Sequence, residues 1–482
     1  MKRHLPAKIL LTLLILTGIL SGCELTQTAA KGDPIILVHG FLGWGRDEVG
    51  GFAGHYYWGG WNDLQKILND EGYETHTGVV GPFSSNWDRA CELYAQLMGT
   101  KTDYGIAHST KHNHDRYGRD FTGKALLQDE SGNPDWGKDG SHKKVNLIAH
   151  SQGGHTVRIL AQLMEQGSAE ERQAVYPADE PVSPLFSAGS GTKNMIRSIT
   201  TMTSTHNGTS LANGVLKLVP IIEDILVSMI AILGIDENET VFDNFYDFKL
   251  QQFGLKSKQE GESLKDYIAR CKAAIEIFLD GTRKDTCLWD LSPEGAVEQN
   301  AWVHAQPNIY YFSYAAEATN KSDIANALDN WEYYQEPDNN QPVYFMPFSL
   351  MMCAYTCNDI RYNGPWKAKD GEFFHMLVKD RQVVDSTWWQ NDGIVNTKSM
   401  NGPWLYPAGY TGPRDAIVDW DGETAPQKGV WNYGGVFENV DHFDVVGCEI
   451  FPYERNNYNS SNFTKNAEDW YIQHAAMLAE LQ

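Results

Sequence analysis

Positive charge, cysteine and long apolar runs are all scarce in this chain of 482 residues, and each shortage removes a class of function. Lys and Arg number 39 against 62 Asp and Glu, a formal net charge of −23. A nucleic-acid binder needs a basic footprint, so that class is excluded. No spacing among the seven cysteines is that of a metal motif. A mean hydropathy of −0.43 excludes a polytopic membrane protein. Internal repeats, low-complexity tracts and, beyond residue 34, Pro/Gly-rich linkers are also lacking. What is present is 42% hydrophobic and 12% aromatic residues, enough for a sizeable core rather than general disorder. Length alone suggests about three domains at roughly 150 residues each. The missing linkers argue instead for one elaborated α/β domain.

The N-terminus reads as an export signal. Lys2, Arg3 and Lys8 precede an apolar stretch from Ile9 to Leu20, too short for a comfortable span, and small residues follow. Leu20-Ser21-Gly22-Cys23 resembles a bacterial lipobox. The expectation is a lipoprotein signal over 1–22, a lipid on Cys23 and a tether over 23–32; an ordinary signal peptide and free secretion is the alternative. Cleavage would leave 482 − 22 = 460 residues and, with three basic residues gone, a charge of 36 − 62 = −26. Such a surface repels anionic headgroups, so a lipid-anchored protein would be held at a bacterial membrane by its acyl chains. Of the remaining cysteines, Cys91 in the amphipathic run Trp87–Met98 reads as a buried thiol, and pairing of Cys271 with Cys287 is left open.

From residue 33 onward, apolar runs alternate with helical patterns. Ile35–Val38, Val145–Ala149 and Ile196–Thr200 read as strands buried on both faces. Leu64–Asn69 and the set Val157, Leu160, Ala161, Met164 have helical spacing. This alternation indicates a mainly parallel sheet. Residues 99–144 and 318–342 lack periodicity and read as insertions or long loops.

Val145-Asn-Leu-Ile-Ala-His-Ser-Gln-Gly-Gly154 runs from a strand through small residues into a helix, the setting of a nucleophile elbow with Ser151 at its tip. The usual first glycine is here Ala149. A serine needs a base and an orienting acid, which in this fold class follow in the order acid, then histidine. Asp392 in Gln390-Asn-Asp-Gly-Ile-Val395 and His442 in Asn439-Val-Asp-His-Phe-Asp-Val-Val446 are the candidates, with His474 and other acids competing. The N–H groups of Gln152 and of Phe41, in the glycine-rich loop Val38–Gly45, are the candidate oxyanion donors. His108, His112 and His114, with Asp88 one short helix earlier, suit a structural zinc ion or simply a solvated polar loop.

Taken in order, Val38-His-Gly-Phe with Gly43-Trp-Gly, Tyr57-Trp-Gly-Gly60, Ser84-Ser-Asn-Trp-Asp-Arg-Ala-Cys91, Ala149-His-Ser-Gln-Gly-Gly154, Asn391-Asp-Gly-Ile-Val-Asn-Thr397 and Asn439-Val-Asp-His442 resemble the secreted thermoalkaliphilic Bacillus-type and staphylococcal lipases. The resemblance runs from about residue 33 to 482 and implies an α/β-hydrolase fold with a helical lid and a zinc-binding insertion, here about 84–115. It implies triacylglycerol or other carboxylester hydrolysis, with Ser151, Asp392 and His442 on the triad positions and Phe41 and Gln152 on the oxyanion positions. Ala149 is itself a habit of the Bacillus-type branch; the lipobox is a departure from it. The resemblance further implies zinc on Asp88, His108, His114 and Asp285, leaving out His112. It implies calcium on the Asp444 and Glu449 side chains and the carbonyls of Tyr344 and Ile450, where the family carries Glu, Asp and Pro in place of Asp444, Glu449 and Ile450.

Val215 to Ile235 is the most apolar stretch after the signal, yet Lys217, Pro220, Glu223 and Asp224 argue against a span. It reads as a buried helix or as a lid; its place after Thr205-His-Asn-Gly208, which resembles the family's lid entry, favours a lid over about 208–240. The runner-up functions are a phospholipase or short-chain carboxylesterase on the same machinery and, from another class, a catalytically silent surface adhesin.

Overall fold

The computed structural model describes residues 30–482 apart from 49–53, 139, 141, 216–248, 250, 254–260, 264, 268, 271, 274–282, 322–334, 338–344, 354–356, 359–360, 363–383, 385 and 449–461. The signal, Cys23, nearly all of the lid stretch, and Cys271, Tyr344, Glu449 and Ile450 lie outside the described residues.

The expected apolar runs form the centre. Ile35–Val38 (β1) pairs in parallel with Thr75–Gly78 (β2) on one side and Val145–His150 (β3) on the other. With Ile196–Met202 (β4), Tyr310–Glu317 (β5), Ile417–Asp419 (β6) and Trp431–Glu438 (β7) they make a seven-stranded parallel sheet in the order β6-β7-β5-β4-β3-β1-β2. Successive side chains of a strand face opposite ways, so one central strand feeds two cores. Ile36 and Val38 join Leu93, Leu97, Leu147 and Leu160 on one face, under the helices Asn86–Met98 (α2) and Gly153–Gln166 (α4). Ile35 and Leu37 join Leu64, Leu68, Tyr471 and Leu478 on the other, under Leu64–Asp70 (α1) and Asn462–Ala479 (α5). Burial of both faces is why these strands read as continuous apolar runs rather than alternating ones.

Residues 99–144, read as an insertion or a long loop, contain regular structure. Lys101–Asp103 and Tyr117–Asp120 form an antiparallel hairpin around a short helix, Ile106–His112 (α3). Strands of three and four residues, mostly polar, leave no periodicity to read. This insertion covers the outer side of α2, which explains why Asp88 and Glu92 are buried along with its apolar stripe: Asp88 faces His108 and His114, and Glu92 accepts from Tyr104 and Arg119. In the second such region, Thr319–Lys321 pairs with Gln335–Pro337. Cys91 is a buried free thiol as expected, and Cys287 is likewise free, so it forms no bridge. Among the described residues no helix is long and apolar enough to cross a membrane.

Candidate active site and metal centre

Ser151 stands between the end of β3 and the start of α4, at φ 56. A non-glycine residue in the left-handed region is strained and persists only where its surroundings hold it. They do so by close approach. A Cβ on Gly153 would lie 2.5 Å from the Val38 carbonyl oxygen, one on Gly154 2.2 Å from Ser204 Oγ, and one on Gly40 2.6 Å from Ser151 Cβ. Glycine is required at all three. Ala149 sits two residues before Ser151, in register with Val38 and Thr201 inside the sheet, where a methyl is accommodated.

The loop after β1 is fixed from below. Buried Arg89 donates to the carbonyls of His39 and Gly81, the latter at 2.7 Å, and to Thr156 Oγ1 at 2.9 Å. His39 accepts from the Val80 N–H at 3.2 Å, which places its proton on Nδ1, facing the Gly40 carbonyl at 2.9 Å. Burial, assisted by Arg89, holds the His39 pKa well below the ordinary imidazole value. Phe41 follows, its ring edge-on to Phe83 at 5.5 Å. The Gln152 side chain is tied to the Ser84 carbonyl and Asn86 Oδ1, each at 3.0 Å. Among the described residues the N–H groups of Phe41 and Gln152 donate to no backbone carbonyl.

Asp392 and His442 lie in contact with one another. His442 Nδ1 lies 2.7 Å from Asp392 Oδ2, and the His442 N–H donates to the Asp392 carbonyl at 2.9 Å. The other carboxylate oxygen accepts the N–H groups of Ile394 and Val395 at 3.0 and 2.7 Å. Since a carboxylate only accepts, the imidazole proton sits on Nδ1 and Nε2 is left as the acceptor. Asp392 is fully buried and His442 is 3% exposed. Both loops hang on the end of β5: Ala318 N–H donates to the Asn391 carbonyl and Val440 N–H to that of Glu317. The competitor His474 is elsewhere, on α5, bonded to Thr200 Oγ1 at 2.8 Å.

A second centre lies where the insertion meets α2 and the segment at 285. Asp88, His108, His114 and Asp285 offer ligand atoms that all fall within 4.8 Å of one another. Asp88 Oδ1, His108 Nε2, His114 Nε2 and Asp285 Oδ2 are buried without a hydrogen-bond partner, so the donor set fits a cation. Burial opposes charge on His108, yet Asp285 and Asp88 override it and raise its pKa to about 10. A divalent ion meets the same demand for positive charge with neutral imidazoles. His112 is not among the four, and burial lowers its pKa to about 4. Of the calcium positions, only Asp444 is described; it is buried and accepts the Asp441 N–H at 3.0 Å.

Residues that sequence reasoning gave no role hold these parts in place. Gln252 donates to Asp88 Oδ2 at 2.8 Å. Glu171, from a different segment, caps α3 by accepting the N–H groups of Ala107 and His108 at 3.0 and 2.7 Å, which aims His108 inward. The one signal in the sequence is Arg89, a charge on the buried stripe of an amphipathic helix.

The sequence model of the family described as Lipase-like, C-terminal domain matches residues 31–335. "Lipase 1" of Staphylococcus aureus is 33% identical over 437 residues, 90% of this chain and 54% of that protein, so the chain spans about half the length of the curated relatives it matches. Among solved structures, lipase 1 from Pelosinus fermentans superposes with a TM-score of 0.66 at 36% identity, covering 94% of this chain and all of that one. Staphylococcus hyicus lipase gives a TM-score of 0.69 at 27% identity over 94% of this chain and 97% of that one. On a parallel α/β sheet with this elbow, the chain belongs to the lipase family of the Lipase-like, C-terminal domain type, with the α/β-hydrolase architecture of its structural neighbours.

Proposed function

We propose that the chain is a triacylglycerol lipase working through a Ser-His-Asp acyl-enzyme. The observation that carries the reading is the 2.7 Å contact of His442 with Asp392, brought to the same end of the sheet as the strained Ser151. Ser151 Oγ attacks the ester carbonyl while His442 Nε2 takes its proton. Asp392 keeps the imidazole in the tautomer with Nδ1–H and stabilises the imidazolium. The N–H groups of Phe41 and Gln152 receive the oxyanion. His442 then returns the proton to the departing alcohol, leaving an acyl group on Ser151. Water, deprotonated by the same histidine, releases the fatty acid.

The domain reading is one hydrolase unit over 33–482, with an insertion at about 84–115 and a lid at about 208–240. Zinc is the ion we assign to Asp88, His108, His114 and Asp285, because two imidazoles and two carboxylates in a closed set suit its tetrahedral preference. When bound it supplies a cross-link between α2, α3 and the segment at 285. Calcium on Asp444, Glu449 and the carbonyls of Tyr344 and Ile450 would brace the loop that carries His442; calcium add-back after chelation should restore thermal stability, and no recovery would remove this assignment. Cys23 is proposed as a lipid attachment point, which an unmodified Cys23 in the intact mass of exported protein would contradict.

Hydrolysis of an ester series from short to long acyl chains, with phospholipid alongside, tests the substrate class. Long-chain triacylglycerol emulsions should be turned over fastest, and faster than monomeric ester, because opening a lid exposes apolar area that a lipid surface covers. Equal rates on emulsion and monomer would count against the lid. Preference for phospholipid or short chains would replace the triacylglycerol assignment.

A further inference from the structure

The three parts of the proposed machine are tied together by two buried side chains that take no part in the chemistry. His150, the residue before Ser151, has Nε2 2.9 Å from the His442 carbonyl oxygen and Nδ1 2.5 Å from Tyr57 Oη. The Gly40 N–H donates to the same Tyr57 oxygen at 3.0 Å. Only one proton arrangement satisfies all three contacts with a neutral ring. A carbonyl accepts, so Nε2 carries the hydrogen; Nδ1 therefore accepts from the Tyr57 hydroxyl, whose oxygen takes the Gly40 amide.

Burial favours that arrangement. His150 is fully buried and Tyr57 is 3% exposed. Desolvation, with His442 beside it, holds the His150 pKa well below the ordinary imidazole range, and desolvation pushes the Tyr57 phenol up. Neutrality matters for catalysis as well. The His150 and His442 rings lie 4.5 Å apart between centroids, and a second cation there would oppose the imidazolium that forms on His442.

The bonds run Gly40 amide to Tyr57, Tyr57 to His150, His150 to the His442 backbone. Gly40 precedes the oxyanion donor Phe41, His150 precedes the nucleophile, and His442 is the base. We infer that Tyr57 and His150 are positioning residues that set oxyanion loop, nucleophile and base in mutual register through one directional hydrogen-bond chain. The inference rests on the catalytic reading given above. It predicts a loss in kcat rather than in substrate binding, because small misplacements of reacting groups cost rate steeply.

The test uses the full chain with Tyr57→Phe, His150→Asn, the double variant and a Ser151→Ala control. Phe keeps the ring of Tyr57 but breaks the chain at its first link; Asn keeps an acceptor for Tyr57 but does not reach the His442 carbonyl. Each single variant should lower kcat about 10–100-fold with KM within about twofold. The rate of Ser151 modification by a fluorophosphonate should fall by the same factor, with the thermal midpoint nearly unchanged for Tyr57→Phe. The double variant should be no slower than the worse single, since a chain broken once is broken. Wild-type kcat in Tyr57→Phe, a rise in KM alone, or multiplicative losses in the double variant would overturn the inference. Should Tyr57→Phe fail to fold, His150→Asn carries the kcat and labelling test alone. Activity retained by Ser151→Ala would sink the catalytic reading instead, so the two failures are told apart.

Discussion

Replacing Ser151 with Ala lowers kcat for ester hydrolysis by about 10⁴ to 10⁶-fold, with little change in KM. The size follows from how triad members work: none supplies much without the others, and what remains comes from binding and the oxyanion donors. Only Oγ is removed, from a site whose geometry is set by Gly40, Gly153 and Gly154 packing against fixed neighbours, so the fold is retained. His442→Ala should cost about as much, and the double variant no more than either single, because nucleophile and base act as one unit. Asp392→Asn should lose roughly 10⁴-fold by presenting an N–H to Nδ1 and spoiling the tautomer that the 2.7 Å bond selects. Steady-state kinetics on a soluble ester reads all four. Multiplicative losses, or a variant of Ser151 that still turns over, would contradict the assignment.

The second large effect is on stability. Chelation of the ion at Asp88, His108, His114 and Asp285, or the substitution Asp285→Ala, should lower the thermal midpoint. An ion present at about a thousandfold over its dissociation constant stabilises by about 4 kcal/mol. Unfolding entropy of about 2.1 cal/mol/K per residue gives roughly 0.9 kcal/mol/K for some 450 residues, so the midpoint falls by about 4 °C. Asp285→Ala should fall further, since it leaves a buried carboxylate and two imidazoles without their partner. With four protein ligands the ion has no open position, so activity at low temperature should persist. Scanning fluorimetry with elemental analysis checks this. Metal release without a change in midpoint would refute the structural role.

Much of the scaffold is legible in the sequence because burial on both faces leaves an unmistakable mark. Ile35–Val38 and Val145–Ala149 have no other use than a central parallel strand, and the helix through Val157, Leu160, Ala161 and Met164 buries all four. The candidate triad is legible for another reason: an elbow requires small residues around Ser151, and its partners must come later in the chain. The choice of His442 over His474 is not written in local pattern; it depends on which loop the end of β5 holds beside Asp392. The insertion at 99–144 hides for a related reason. Its helix α3 starts at Gly105 without a side-chain cap of its own and relies on Glu171 from a distant segment. Arg89 stands in plain sight, but its role depends on carbonyl and hydroxyl partners that meet only in the fold. Tyr57 and His150 are likewise visible as residues and invisible as a pair, being 93 positions apart.

Covalent trapping addresses the central claim most directly. Incubation with a fluorophosphonate bearing a long alkyl chain, followed by peptide mass spectrometry, should place one adduct per chain on Ser151, with labelling abolished in His442→Ala and activity lost in proportion to label. Label on any other residue, or full ester hydrolysis by protein fully labelled on Ser151, would contradict the account.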